Sequence, residues 1–163
     1  MIHEVSGDIL LTGAQAVAHG IAPHDHFNQG LALSLREEWP SLAKDFRHFC
    51  HTETPKPGEI WVWKGTNGKF IVNLITQEGN HEHGNKPGKA KIEYVNRSLK
   101  LLSKFLAEEE IASVALPRLA TGVGGLAWED VLPLIKTHLG QSGAEVFIYT
   151  TFKKGLKADE KAA

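Results

Sequence analysis

A single cysteine in 163 residues, Cys50, rules out an internal disulfide and points to a reducing compartment. There is no basic excess: 18 Lys and Arg against 19 Asp and Glu leave a formal charge of −1, which argues against a general nucleic-acid surface. No stretch approaches a membrane span, and the opening "MIHEVSGDILL" has neither a basic start nor an apolar run of signal-peptide length. The nucleotide motifs GxxxxGK(S/T) and GxGxxG are absent, as are internal repeats and dividing linkers. With 42% hydrophobic and 23% charged residues, what remains is one domain with a sizeable core. It is expected to be cytoplasmic and monomeric, with no membrane partner and no metal.

What is present is an alternation of elements. "IHEV" and "AVAHG" are short strands, and "GLALSLREEWPSLAKDFRHFC" is helical, with Pro40 placed to open a second helix. "EIWVWKG" and "KFIVNLIT", joined by "GTNGK", predict an antiparallel hairpin. Ile92, Val95, Leu99, Leu102 and Leu106 fall at the 3-4-3-4 spacing of one buried helix face. "SVALP", a helix over "WEDVLPLIKTHLG" stopped by Gly140, and a last strand "EVFIYTT" follow. This order predicts a three-layer α/β/α fold with a mixed, mostly parallel sheet over residues 1–153, then a polar, mobile tail over 154–163.

Ligands of such sheets sit beyond the carboxyl ends of the strands, so the loops there carry the candidate chemistry. "TGVGGL", residues 121–126, leaves a strand and enters a helix. Its successive N–H groups can cradle phosphate with help from the helix dipole, or its glycines can simply make a tight turn. "HGIAPHDHFNQGLAL" crowds His19, His24, Asp25, His26, Asn28 and Gln29 before a helix opened by Gly30. Asp8 either accepts hydrogen bonds from an exocyclic amine or caps a short helix. The pairs "HDH" (24–26) and "HEH" (81–83) have chelating spacing on a strand, yet both lie in loop-like stretches without further ligands at fixed spacing. Cys50 shares an apolar helix face with Phe46 and Phe49 and reads as core filler.

The ordered motifs "GDIL", "AVAHGIA…NQGLALSLREEWP", "NLIT" and "LPRLATGVGGLAWEDV" together resemble a macrodomain, over about Val5 to Thr151. The resemblance is to the branch of terminal ADP-ribose protein glycohydrolases and ADP-ribose-1″-phosphate phosphatases. It implies ADP-ribose as ligand or product, no cofactor, and an ADP-ribosylated protein or nucleic acid as partner. Asp8 would bind the adenine amino group, with a backbone contact from Ile9. Thr121, Gly122, Val123, Gly124, Gly125 and Leu126 would wrap the diphosphate, and Asn28, Gln29 and Gly30 would line the distal ribose. Phe152, or Tyr149 before it, would cover the adenine. Two positions depart from the glycohydrolase pattern: Gln77 stands where that branch has a lysine, and Gly124 where it has an aspartate. Neither a covalent ribose adduct nor an aspartate base is available there. The phosphatase-like branch keeps a histidine aligned with His19. His19, with Asp25 and His26, is therefore the expected proton-handling group, the other reading of His19 being a strand-end histidine bonded to backbone.

Overall fold

The computed structural model describes residues 1–79 and 88–161. In chain order the elements are β1 (Ile2–Gly7), a 3-10 turn (Ile9–Leu11), β2 (Ala16–Ile21), α1 (Gly30–Glu38), α2 (Pro40–Glu53), β3 (Ile60–Lys64), β4 (Phe70–Ile75), α3 (Ile92–Glu108), β5 (Ser113–Pro117), α4 (Trp128–Leu139) and β6 (Glu145–Phe152). The six strands form one sheet in the order β1-β6-β5-β2-β4-β3. All neighbours run parallel except β3 against β4, the expected hairpin.

Strand alternation divides the core. Ala16, Ala18, Val72, Leu74, Val114, Leu116, Val146 and Ile148 point to one face, where Val95, Leu99, Leu102 and Leu106 of α3 and Val131, Ile135 and Leu139 of α4 cover them. Val17, Ile21, Ile71, Ile75, Ala115 and Phe147 point to the other face, against Leu35 of α1 and Leu42, Phe46 and Cys50 of α2. Pro40 opens α2 at its first turn, where a missing N–H costs nothing. No helix among the described residues is long and apolar enough to cross a membrane.

This topology fixes where a ligand can enter. From the neighbouring strands β2 and β5 the chain departs to opposite faces, to α1 on one side and α4 on the other. A crevice opens at such a reversal, beyond the carboxyl ends of the strands. The two glycine-bearing loops are the segments that flank it.

The polar tail expected after residue 153 is instead laid against the end of β1. Lys153 N donates to Gly7 O at 3.0 Å, Asp8 N to Leu156 O at 2.7 Å, and Ala158 is buried.

Candidate ligand site at the crevice between β2 and β5

The loop after β5 turns through Ala120 (φ +61°) and Gly125 (φ +78°). It is closed by Leu126 N to Ala120 O (3.0 Å) and Gly125 N to Gly122 O (3.1 Å). The N–H groups of Thr121, Gly122, Val123 and Gly124 donate to no acceptor among the described residues; Gly122 and Val123 are exposed, Thr121 is half-buried and Gly124 is buried. The glycines do different jobs. A Cβ on Gly122 or Gly125 would meet nothing within 4 Å, whereas on Gly124 it would lie 2.6 Å from Ala120 O and 2.9 Å from the Ala90 Cβ. Ala90 N also donates to Gly124 O at 3.0 Å. Gly122 therefore leaves room for a ligand, and Gly124 leaves room for the protein.

The dipole assistance expected from α4 is offset, because Glu129 and Asp130 occupy its first turn. The first turn of α1 has no acidic residue, and its N-cap Gln29 makes no side-chain capping bond. The favourable helix end is thus the one behind Asn28, Gln29 and Gly30, all three exposed.

The loop after β2 is held in an uncommon shape. His24 (φ +61°) and Phe27 (φ +55°) are left-handed non-glycine residues, costing about 1 kcal/mol or more each. Asp25 N donates to Ala22 O at 3.3 Å. Asp25 Oδ1 accepts from Phe27 N at 2.8 Å, and the Phe27 ring is fully buried against Phe46, centroids 5.4 Å apart. Burial raises the Asp25 carboxyl pKa, against the opposing effects of the Phe27 N–H and of His26. His26 is exposed, and its carbonyl accepts from Arg36 Nη1 at 3.2 Å.

His19 meets that loop at the Phe27 ring, edge-on with centroids 6.0 Å apart. It is 2% exposed inside β2, directly opposite Asn73 of β4, with Nε2 2.6 Å from Asn73 Oδ1. Asn73 Nδ2 donates to Trp61 O at 3.1 Å, which orients the amide, so His19 Nε2 carries the proton. Burial lowers its pKa to about 4, the Asn73 bond opposing only in part. A buried imidazole that stays neutral to about pH 4 is a core residue. Its partner is the Asn73 amide, not the backbone of the strand-end reading, and of the three expected proton handlers it is the one inside the sheet, with Asp25 and His26 on the loop itself.

At the far end of the crevice, Asp8 caps the 3-10 turn through Leu10 N to Oδ1 (3.0 Å), and its Oδ2 accepts from Gly155 N (3.0 Å). Ile9, 4% exposed, opens that turn, where its N–H has no partner within it. Phe152, 65% exposed and in register with Gly7, stands beside Asp8. Tyr149 is buried and its hydroxyl donates to Glu160 Oε2 at 2.6 Å, so of the two aromatic candidates Phe152 is the one at the surface. Among the described residues no three His, Cys, Asp or Glu side chains gather as a metal site; the pair at 81–83 lies outside those residues. A cavity of about 650 Å³ opens at the opposite end of the strands, before the starts of β5 and β6 and between Glu110 and Ser142, away from all of these groups.

The Macro domain family model matches residues 27–135. The chain belongs to the Macro domain family. A DNA ADP-ribosyl glycohydrolase of Mycobacterium tuberculosis is 31% identical to it over 137 residues, 80% of this chain and 36% of that protein. The human ADP-ribose glycohydrolase OARD1 is 22% identical over 147 residues, covering 90% of this chain and 89% of that one. The macrodomain of Thermus aquaticus DarG matches with a TM-score of 0.80 at 27% identity, over 92% of this chain and 98% of that structure. The chain spans little more than a third of its mycobacterial relative's length.

In this macrodomain the two departures from the glycohydrolase pattern are built into the packing. Gln77 is buried, its Nε2 donates to Gly88 O at 3.0 Å, and its backbone bridges to Ala90. It anchors the segment that packs against Gly124. At Gly124 the Ala120 carbonyl leaves no room for any side chain. Sequence reading missed Gly7, Leu156 and Glu160, which shape the Asp8 end; the glycine before Asp8 was the one local signal.

Proposed function

We propose that this macrodomain binds ADP-ribose in the crevice and hydrolyses an ADP-ribose derivative at the 1″ position, without lysine-dependent chemistry. The observation that carries the reading is the row of N–H groups at 121–124 that finds no acceptor among the described residues, with Gly122 and Val123 exposed, opposite a helix start free of acidic residues. An anionic diphosphate is the ligand such donors suit, since charged acceptors give the stronger hydrogen bonds. Asp8 and Phe152 at one end fit the adenine, and Asn28, Gln29 and Gly30 at the other fit the distal ribose. The related glycohydrolases support removal of mono-ADP-ribose from a macromolecule, nucleic acid or protein, and ADP-ribose-1″-phosphate is the small-molecule counterpart.

The catalytic part of the proposal rests on positioning. The rigid loops hold the diphosphate and place water against the anomeric carbon, so electrostatics and proximity supply much of the rate. Asp25, with its raised carboxyl pKa, is the proton carrier put forward, with His26 beside it. The positions of Gln77 and Gly124 favour one second reading, a module that binds ADP-ribose without turning it over.

One experiment separates the two. The protein is incubated with substrates ADP-ribosylated on Glu/Asp, Ser, Arg, and nucleic-acid bases or ends, and with ADP-ribose-1″-phosphate. A hydrolase clears one class with turnover, and Asp25→Asn slows it by about 10²-fold. No clearance alongside ADP-ribose binding leaves the non-catalytic module, and no binding near millimolar ADP-ribose refutes both.

A further inference from the structure

The stretch "KKGLKADEKAA" looks featureless, yet much of the Asp8 end is built from it. Lys153 N is bonded to Gly7 O, and Leu156 O accepts from Asp8 N at 2.7 Å. Gly155 N donates to Asp8 Oδ2 at 3.0 Å. The Glu160 carboxylate ties down the far end, accepting from Thr12 Oγ1 (2.6 Å), Gly13 N (2.9 Å) and the Tyr149 hydroxyl (2.6 Å). The strap crosses β1 so closely that a Cβ on Gly7 would lie 2.8 Å from Leu156 O and 2.9 Å from the Ala158 Cβ. Along this path Leu156, whose carbonyl holds Asp8, is left 49% exposed, and Phe152, in register with Gly7, is 65% exposed.

We propose that residues 153–160 are a positioning strap for the base end of the site, with Leu156 as a second apolar wall beside Phe152. The inference rests on the ADP-ribose reading above. An Asp8 side chain held only by Leu10 N could swing about its remaining torsion. With a second N–H on Oδ2 the carboxylate is fixed, and each oxygen keeps a further lone pair for an amine on the base. Glu160 acts through the strap and touches no ligand. Leu156 offers the base an apolar surface that costs little to desolvate.

Binding of ADP-ribose, AMP and inorganic pyrophosphate is measured by calorimetry for the parent, Glu160→Gln, Leu156→Ala and a chain ending at Phe152. The expected result is weaker binding of ADP-ribose and AMP by a common factor, about tenfold for Glu160→Gln and about fivefold for Leu156→Ala, with pyrophosphate unchanged. Leu156→Ala keeps every backbone tether, so it remains informative if the shortened chain does not fold. Unchanged or tighter AMP binding in both point variants overturns the proposal. So does an equal loss for pyrophosphate, which marks a merely structural strap. A parent that binds neither ADP-ribose nor AMP refutes the underlying reading, and the strap with it. A parent that binds while the variants match it refutes the strap alone.

Discussion

Gly122 and Gly124 lie two residues apart in one loop, and the geometry assigns them opposite failures. A Cβ on Gly122 meets nothing within 4 Å, so Gly122→Val leaves the folded state almost untouched, within about 0.5 kcal/mol. The valine methyl groups then stand where a diphosphate oxygen must come to reach the N–H groups of 121–124. Each such bond to a charged acceptor is worth about 1.5–3 kcal/mol, and losing two of them weakens ADP-ribose by at least about 100-fold. Gly124→Ala does the reverse. Its Cβ arrives 2.6 Å from Ala120 O and 2.9 Å from the Ala90 Cβ, and backbone must move. Overpacking of this kind costs about 1–3 kcal/mol, which in a chain of this size lowers Tm by about 2–12 °C. Gly124→Asp costs more still, and it does not restore the aspartate of the glycohydrolase pattern in a usable place. Thermal unfolding with and without ADP-ribose, together with calorimetric Kd values, reads both effects. If Gly122→Val binds within twofold of the parent, the row of N–H groups is not the diphosphate site. If Gly124→Ala is as stable as the parent, Gly124 is not a packing glycine.

His19 gives a pH signature. Its folded pKa of about 4 lies below the ordinary 6.5, so between those values the unfolded chain binds the extra proton and stability falls as pH falls. The window is worth about 3 kcal/mol in all; urea titrations from pH 7 to pH 4 show it in the parent, and a His19→Gln chain that keeps the same slope refutes the assignment. Chelation with EDTA leaves Tm and ADP-ribose affinity unchanged, and stoichiometric zinc in protein purified without an affinity tag refutes that expectation.

Local periodicity carried most of the architecture. The spacing from Val95 to Leu106 became the buried face of α3, and Pro40 marked the break between α1 and α2. Strand alternation also held the answer for His19. In "AVAHGI" it shares a face with Val17 and Ile21, both buried, so a side chain between them points into the core. What the local pattern lacks is the partner: Asn73 stands opposite only because β2 pairs with β4. The strap is the same problem at greater range, since Glu160 meets Thr12 and Gly13 across almost the whole chain.

The electrostatics of the site were written in the sequence in a form that glycine counting overlooks. Both candidate loops run from a strand into a helix, so by position alone either helix start suits an anion. The next residues decide between them: "WED" puts two carboxylates in the first turn of α4, while "GLAL" puts none in the first turn of α1. On the proposed reading, donors for the diphosphate come from the loop after β5, and the favourable helix field comes from the start of α1 after β2. The proposed site needs both loops, and the neighbouring strands β2 and β5 are what bring the two contributions together.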